Sequence, residues 1–206
     1  MNSPSPFELS QAAVADFPTE YGQFRIYGFE GKFRNGEEVV VEEAAVITMG
    51  DLSGPPPLLR IHSQCLTGDV FHSLRCDCRA QLEIALEEIG REGRGLIIYE
   101  LQEGRGIGLL NKLRAYELQD RGADTVEANE QLGFESDLRN YRLPAAILTH
   151  LGIASVKLLS NNPAKVRAVE QEGVEVAERV PCIAAHHDSR RGYLETKRAK
   201  MGHLLG

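Results

Sequence analysis

The first third of the chain alternates apolar and polar residues in short segments, a pattern typical of strands. Residues 22–30 and 37–48 follow it on either side of Asn35-Gly36, a pair that favours a tight hairpin turn. Residues 58–63 form a further strand-like segment, and we expect this third to be antiparallel. Residues 1–19 contain recurrent Pro and Ser without a sustained period, which predicts a flexible N-terminal arm.

From residue 80 onward, segments with helical spacing alternate with short apolar runs. The pattern predicts helices over 80–91, 109–120, 145–151 and 163–172, with Pro144 at the start of the third, and strands over 95–100, 155–159 and 174–180. Such alternation favours a mixed or parallel sheet with helices on it. The predicted fold class is α+β grading into α/β, with N-terminal antiparallel strands followed by a mixed sheet, and residues 20–206 are expected to form a single domain.

The composition is that of an ordinary globular protein, with 206 residues, 42% hydrophobic and 26% charged. No apolar run approaches the roughly 18 residues of a membrane helix. The N-terminus lacks the features of a signal peptide, so we expect a cytoplasmic protein without a membrane partner. The net charge of −7 and the lack of a basic stripe argue against nucleic acid as a partner. A local arginine cluster would still suit a nucleotide.

Three of the four cysteines, Cys65, Cys76 and Cys78, lie within fourteen positions. Cys76 and Cys78 would face the same side if the chain there is extended. Thiolates suit zinc, and three ligands without an obvious fourth are typical of a catalytic zinc with an open position for water. Two alternatives stay open at this point. The cysteines could be buried free thiols, or they could hold a structural zinc with Cys182, His62 or His72 as fourth ligand.

A glycine-rich segment, residues 104–108, leads from a predicted strand into a predicted helix. Backbone N–H groups at such a turn bind anions, and Arg105 adds a planar donor for phosphate. The glycine spacing matches neither the dinucleotide fingerprint nor the P-loop. A tight turn with a surface arginine is the alternative interpretation.

Other polar residues stand near the predicted strand ends. Arg60 lies on the strand that leads to Cys65 and could hold a triphosphate, or form a salt bridge on the strand. Asp137 and Arg139 would face the same way in an extended segment, as a base and its guanidinium or as a surface ion pair. Residues 160–165 follow a strand, where ligands gather in open sheets. His186-His187-Asp188 could bind metal or form a solvated loop.

Taken together, these segments resemble GTP cyclohydrolase II, the enzyme family at the head of riboflavin biosynthesis. The resemblance extends from about residue 60 to the C-terminus and is weaker in the N-terminal sheet. The matching motifs are RIHSQCLTGD from Arg60, SLRCDC from Ser73, QEGRGIGLLNK from Gln102, TVEANEQLGF from Thr125, LLSNNPAK from Leu158 and YLETKRAKMGH from Tyr193.

The resemblance implies a role for each matching residue. Cys65, Cys76 and Cys78 would hold the zinc, Asp137 would be the proton acceptor, Arg139 the nucleophile, and Tyr116 would take part in ring opening. Substrate contacts are implied for Arg60, Ile61, His62, Ser63, Gln64, Gln81, Glu103, Gly104, Arg105, Thr125, Ser160 and Lys165. Gln64 stands where Glu is frequent, and Ser160 where Thr is frequent. We expect these two departures to alter affinity rather than remove function.

The family reaction converts GTP to formate, pyrophosphate and a diaminopyrimidine ribose phosphate. The resemblance implies one Zn²⁺ per chain, Mg²⁺ on the triphosphate, and a homodimer. A guanidinium stays protonated near neutral pH. Arg139 would therefore either lose its proton to Asp137 or stabilise charge at the α-phosphate.

Two other functions remain as alternatives. One is a related enzyme that opens the purine ring but stops at the formamide, which Tyr116 disfavours because complete deformylation in the family goes with tyrosine there. The other is a non-catalytic nucleotide- or zinc-binding module. The presence of the three cysteines together with Asp137 and Arg139 disfavours it.

Overall fold

The computed structural model describes residues 7–35, 38–135, 137–184, 196–200 and 202–204. Seven strands form one sheet: β1 (Glu8–Thr19), β2 (Gly22–Asn35), β3 (Glu38–Met49), β4 (Leu58–Ser63), β5 (Gly95–Glu100), β6 (Ser155–Leu159) and β7 (Glu175–Val180). The helices are α1 (Leu66–Asp69), α2 (Cys78–Glu92), α3 (Leu109–Asp120), α4 (Thr125–Gln131), α5 (Arg142–His150) and α6 (Pro163–Gln171), with a 3₁₀ turn at Glu103–Gly106.

The sheet has the strand order β1-β2-β3-β5-β4-β6-β7 and is mixed. Strands β1, β2, β3 and β5 pair antiparallel, whereas β4 runs parallel to both β5 and β6, and β6 runs parallel to β7. The predicted α+β fold, with antiparallel strands first and a mixed sheet after them, is confirmed. The hairpin predicted at Asn35-Gly36 is also present, since Asn35 pairs with Glu38, although residues 36–37 lie outside the described part.

The expectation of a flexible N-terminal arm is wrong for Glu8–Thr19, which is strand β1 and pairs with β2 along its length. Most of its side chains are exposed, so the strand has no buried face to impose a two-residue period on the sequence. Backbone hydrogen bonds to β2 hold it instead.

The expectation that residues 58–63 belong to an antiparallel sheet is also wrong. Strand β4 is parallel to both of its neighbours, and five of its six residues are buried. Leu59 and Ile61 alternate with the polar Arg60 and His62, as in an antiparallel strand with one polar face, so the pattern gave no sign that both faces are covered.

Helices cover both faces of the parallel strands. On one face, Ala85 and Ile89 of α2 pack with Leu58, Ile97 and the other members of the smaller core cluster. On the opposite face, α5 and α6 pack against alternate residues of β4, β5 and β6 in the larger cluster, which contains Leu59, Ile61, Leu96, Ile98, Leu143, Ile147, Leu148, Leu158 and Val169. The carboxyl ends of these strands are therefore held between two helical layers.

Helix α5 differs from its prediction, and the short helices α1 and α4 were not predicted. Helix α5 begins at Arg142, so Pro144 lies within its first turn rather than at its start. Helix α4 was not predicted, although Asp124 caps it and Glu127 completes a capping box. Its seven residues are too few to display a helical period. No helix in the described part of the chain is long and apolar enough to cross a membrane.

Candidate active site

A pocket of about 830 Å³ opens at the carboxyl ends of the parallel strands. The chain leaves β4 toward β5 on one side and leaves β6 toward β7 on the other, so β4 and β6 flank a topological switch point, where ligands bind in open sheets. The predicted site residues that line the pocket are Arg60, His62, Ser63, Gln64, Cys65, Cys76, Cys78, Gln81, Glu103, Gly104, Arg105, Tyr116, Thr125, Arg139, Ser160 and Lys165. Ile61 is instead part of the core. Asp137 is not among the lining residues and is hydrogen-bonded to Arg139.

The sulfur atoms of Cys65, Cys76 and Cys78 all lie within 4.8 Å of one another. Cys65 directly follows the end of β4, and its Sγ lies 3.7 Å from that of Cys76. Cys76 and Cys78 flank Asp77, the N-cap of α2, so this stretch is not the extended segment that would have placed both side chains on one side. The start of the helix brings the two thiols together instead.

Gly68 shows how closely α1 approaches this group. A Cβ atom at this position would lie 2.8 Å from the Cys76 sulfur and 3.1 Å from the Cys65 sulfur. Three soft donors, two of them buried, thus surround a small space that only a glycine leaves open. This arrangement fits a metal ion such as zinc.

None of the proposed fourth ligands joins the three cysteines in a metal-capable group within the described residues. His62 pairs with the carboxylate of Asp69 at 3.2 Å, and exposed His72 lies 2.6 Å from a nitrogen of Arg79. Buried Cys182 donates to a backbone oxygen of α2 at 3.5 Å. His186 and His187 lie outside the described residues.

Charged and hydrogen-bonding groups support the cysteine group. Lys112 places its Nζ 3.1 Å from the Cys65 sulfur and 2.7 Å from a Glu103 oxygen, and the other oxygen of Glu103 accepts from the N–H of Leu66 at 2.7 Å. Hydrogen bonds from the other two thiols, together with Lys112, lower the pKa of Cys65. At least one thiolate is therefore favoured at neutral pH.

Asp69 is a second support for the first cysteine. Its carboxylate accepts hydrogen bonds from the backbone N–H of Cys65 at 3.0 Å and from the hydroxyl of Tyr99 at 2.8 Å. The His62 ring stacks on Tyr99, and burial lowers the pKa of His62 although Asp69 opposes the shift. A neutral His62 therefore fixes the end of β4 next to the cysteines.

Asp137 and Arg139 form a largely buried ion pair rather than a surface one. The Arg139 side chain is 13% exposed, and it donates to Asp137 through Nε at 2.8 Å and through Nη2. Its Nη1 lies 3.5 Å from the hydroxyl oxygen of Ser63 at the end of β4. Burial opposes the charge of each partner, but the hydrogen bonds between them lower the pKa of Asp137 and raise that of Arg139. Both groups are charged.

Two further basic residues, Arg60 and Lys165, interact electrostatically with each other, and Lys165 does so with Arg139. Arg60 donates to the backbone oxygen of Leu159 at 3.0 Å and to Gln81 at 2.5 Å, and it forms no salt bridge with any acid in the described part of the chain. Lys165 donates to the backbone oxygen of Ile61 at 2.8 Å. Burial, followed by repulsion from Arg60 and Arg139, lowers the pKa of Lys165.

The glycine-rich turn places Arg105 at the pocket with φ +63, a left-handed backbone that is uncommon for arginine. One of its terminal nitrogens, Nη1, is buried without a hydrogen-bond partner among the described residues. Strained backbone and unpaired donors are often kept at functional sites. Tyr116 from α3 also lines the pocket, and its hydroxyl oxygen is 3.1 Å from that of Thr67.

The charge of the pocket is opposite to that of the whole protein. Its described lining includes the acids Glu103 and Asp124 and eight basic residues, Arg60, Arg75, Arg105, Lys112, Arg139, Lys165, Lys197 and Lys200. Because low-dielectric walls concentrate such charge, the pocket attracts anions despite the net charge of −7.

Several residues of the site were not identified from the sequence. Lys112, Asp69 and Gly68 belong to motifs quoted for the family resemblance, which assigned them no role. The buried ion pair between Lys197 and Asp77, at 2.7 Å, joins positions that are 120 residues apart. No local pattern indicates such a contact.

The fold and the site define a class: an α+β protein with a metal-suited group of three thiols beside a cationic pocket. Residues 10–181 match the GTP cyclohydrolase II family. The GTP cyclohydrolase-2 of Shewanella amazonensis is 52% identical over 198 residues, covering 96% of this chain and 94% of the relative. Those of Pseudomonas putida strain W619 and Pseudomonas paraeruginosa are 52% and 53% identical over 195 residues. Each match covers 94% of this chain and 92% of the relative. The chain belongs to the GTP cyclohydrolase II family, a family of hydrolases.

Proposed function

We propose that this protein hydrolyses GTP to formate, pyrophosphate and a diaminopyrimidine ribose phosphate, the first step of riboflavin biosynthesis. The observation that carries the proposal is that the three cysteines and Arg139 line one pocket of nucleotide size. Family membership supports GTP as the substrate, because the relatives are named GTP cyclohydrolases.

Cys65, Cys76 and Cys78 would hold one Zn²⁺ per chain. Gly68 leaves room for the ion, and Lys112 favours the thiolate form of Cys65. When bound, zinc supplies a Lewis acid for hydrolysis of the purine ring. Glu103 accepts a hydrogen bond from the N–H of Leu66, and Asp69 accepts one from the N–H of Cys65. Together the two carboxylates hold the first cysteine in place.

Arg139 would stabilise charge at the α-phosphate instead of attacking it. Its hydrogen bonds to Asp137 raise the pKa of a group that is already protonated, and a charged guanidinium has no free electron pair. Nε and Nη2 donate to the Asp137 carboxylate, so Nη1 is the nitrogen that would donate to a phosphate oxygen. Asp137 would then orient Arg139, and its lowered pKa disfavours a role as proton acceptor.

Arg60, Arg105 and Lys165 would bind the triphosphate. Arg105 offers a buried donor that has no partner among the described residues, and Lys165 is a buried amine whose pKa is lowered by burial and by Arg60 and Arg139. Mg²⁺ would accompany the triphosphate. Gln81, Thr125 and Ser160 would provide uncharged contacts to the nucleotide, and Tyr116 would act at the ring-opening end near Thr67. We further propose a cytoplasmic homodimer, on the strength of the family alone.

The test is to incubate the zinc-loaded protein with GTP and Mg²⁺ and to identify the products by mass spectrometry. Formate, pyrophosphate and the diaminopyrimidine are expected in equal amounts. A formamide as final product would indicate the related ring-opening reaction instead. No turnover, with GTP bound, would indicate a binding module and contradict the proposal.

Arg139→Lys and Arg139→Ala test the role of the guanidinium. Both should lower turnover by about 10²–10³-fold, because lysine keeps the charge but not the planar donor pair. Arg142→Lys, at an exposed arginine of α5, is the matched control and should be unchanged. Near-normal turnover of Arg139→Lys would show that a point charge suffices.

A further inference from the structure

The C-terminal segment, residues 196–200 and 202–204, forms a wall of the pocket. The proposed function assigns no role to this segment. Thr196, Lys197, Lys200 and His203 all line the pocket. They belong to the motif that begins at Tyr193, whose residues were given no role by the family resemblance. Its position raises the question of what it contributes to the site.

Contacts with distant parts of the chain hold the segment in place. Lys197 Nζ lies 2.7 Å from a carboxylate oxygen of Asp77, between the second and third cysteines, and both side chains are buried. The backbone N–H of Leu204 donates to the oxygen of Asn161 at 2.9 Å, and that of His203 donates to the oxygen of Lys197 at 3.1 Å. His203 is thus fixed between the cysteine group and the β6–α6 connection.

The His203 ring is the unusual feature of this wall. Both of its ring nitrogens are buried, and neither has a hydrogen-bond partner among the described residues. Buried polar atoms in proteins are nearly always paired, because leaving one unpaired costs free energy. Since His203 also lines the pocket, a ligand in the pocket can provide the missing partner.

The charges around His203 indicate the kind of ligand. Lys197 from its own segment, Arg105 from the glycine-rich turn and Arg139 from the segment before α5 surround it, with Asp77 as the opposing charge. Burial and these cations lower the pKa of His203 to about 4, so the ring is neutral and has one N–H donor. A neutral donor among three cations suits an anion.

We propose that the N–H of His203 donates a hydrogen bond to a phosphate oxygen of the bound nucleotide, which makes the C-terminal segment part of the phosphate-binding site. The inference rests on the proposed function for the identity of the nucleotide. The imidazole and its neighbouring cations would meet the phosphates of any polyphosphate in the same way.

Calorimetric titration with two separate probes tests this assignment: magnesium tripolyphosphate for the phosphate end and guanosine for the base. His203→Ala should bind tripolyphosphate about tenfold more weakly, the usual effect of losing a hydrogen bond to a charged group. His203→Gln should regain part of this affinity, because its amide N–H replaces that of the ring. Guanosine binding and zinc content should match the unaltered protein in both variants.

His150→Ala, at an exposed histidine of α5 outside the pocket, is the matched control and should bind both probes normally. Unchanged tripolyphosphate affinity in His203→Ala and His203→Gln would overturn the proposal. Weaker guanosine binding with unchanged tripolyphosphate binding would also overturn it and would move His203 to the base. If tripolyphosphate binding depends on His203 but GTP yields no formate, the proposed reaction fails and this assignment stands.

Discussion

The antiparallel and parallel parts of the sheet differ in burial and in chemistry. In β1–β3 many apolar side chains are exposed, among them Phe17, Val39 and Val41, whereas the side chains of β4 and β5 are almost all buried. Every residue to which we assign a role in the site follows Leu59 in sequence, so none comes from the three antiparallel strands. The functional residues are concentrated in the part of the sheet that has helices on both faces.

The reason lies in how parallel strands are connected. A parallel pair needs a long crossover, and each crossover starts at the carboxyl end of a strand. The segments that follow β4, β5 and β6 therefore all begin at one edge, where they bring Cys65, Arg105 and Ser160 together. Hairpins connect neighbouring strands by short turns and leave little chain for a site.

The largest effect on zinc binding and turnover is expected at Cys76, and buried Cys182, outside the group of three cysteines, is its control. Cys76→Ser should lose zinc and lower formate release by at least about 100-fold, because one of three ligands is removed. Cys182→Ala, in the core against α2, should lose some stability but keep its zinc and its turnover. Metal analysis by mass spectrometry and a formate assay measure both. Full zinc content with full activity in Cys76→Ser would refute the assignment of the site.

The second prediction compares a glycine from each part of the molecule. Gly68→Ala should weaken zinc binding by about 10–100-fold, since its Cβ would lie 2.8 Å from the Cys76 sulfur. In Gly28→Ala, on β2, the Cβ would meet its nearest neighbour at 3.9 Å, an ordinary contact, so zinc affinity should not change. Competition with a zinc chelator gives both affinities. Equal affinities would show that α1 can move away from the cysteines.

The sequence predicted most of the fold because the buried strands and amphipathic helices follow regular periods. It failed for β1, whose side chains are mostly exposed, and for the direction of β4, whose alternating apolar and polar residues are also typical of an antiparallel strand. Direction depends on which strands lie beside β4, and in this fold Leu58 pairs with Gly95 of β5 and with Lys157 of β6, both far along the chain. Local patterns do not contain that information.

For the site, the cysteine spacing and the family resemblance identified residues that the structure brings to one pocket. The supporting contacts were not predictable in the same way. Lys112 supports Cys65 from α3, and Lys197 pairs with Asp77 from the C-terminal segment. Such contacts depend on how distant segments pack. Only their chemistry, a cation near a thiolate or a carboxylate, could have been expected.

The third prediction concerns a buried acid at the end of β5. Glu100 is fully buried, and burial raises its pKa to about 7, with Lys165 and Arg139 opposing the shift and Glu42 adding to it. Between about pH 4.5 and 7 the folded protein keeps a proton that the unfolded chain releases. The free energy of unfolding should therefore fall as the pH rises through this window and stay lower above it.

Glu100→Gln removes this titration, so its loss of stability between pH 5 and pH 8 should be smaller than that of the unaltered protein, by on the order of 2 kcal/mol. Urea denaturation at the two pH values measures the difference. Glu43→Gln, at an exposed position of the neighbouring strand β3, should leave the pH dependence as it is. An identical pH dependence in Glu100→Gln would mean that Glu100 is ionised throughout.

The smallest effect is expected where the antiparallel strands are exposed. Val39 and Val41 are 57% and 49% exposed on β3, and neither is among the described residues that line the pocket. The double change Val39→Thr and Val41→Thr keeps the β-branched shape that suits a strand and removes little buried apolar area. Thermal denaturation should show a change within about 0.5 kcal/mol, and turnover of GTP should be unaltered.

A large loss of stability would mean that these valines are covered in solution, as they would be in a homodimer that pairs through this part of the sheet. Light scattering of the two proteins at equal concentration would then show the double variant dissociating.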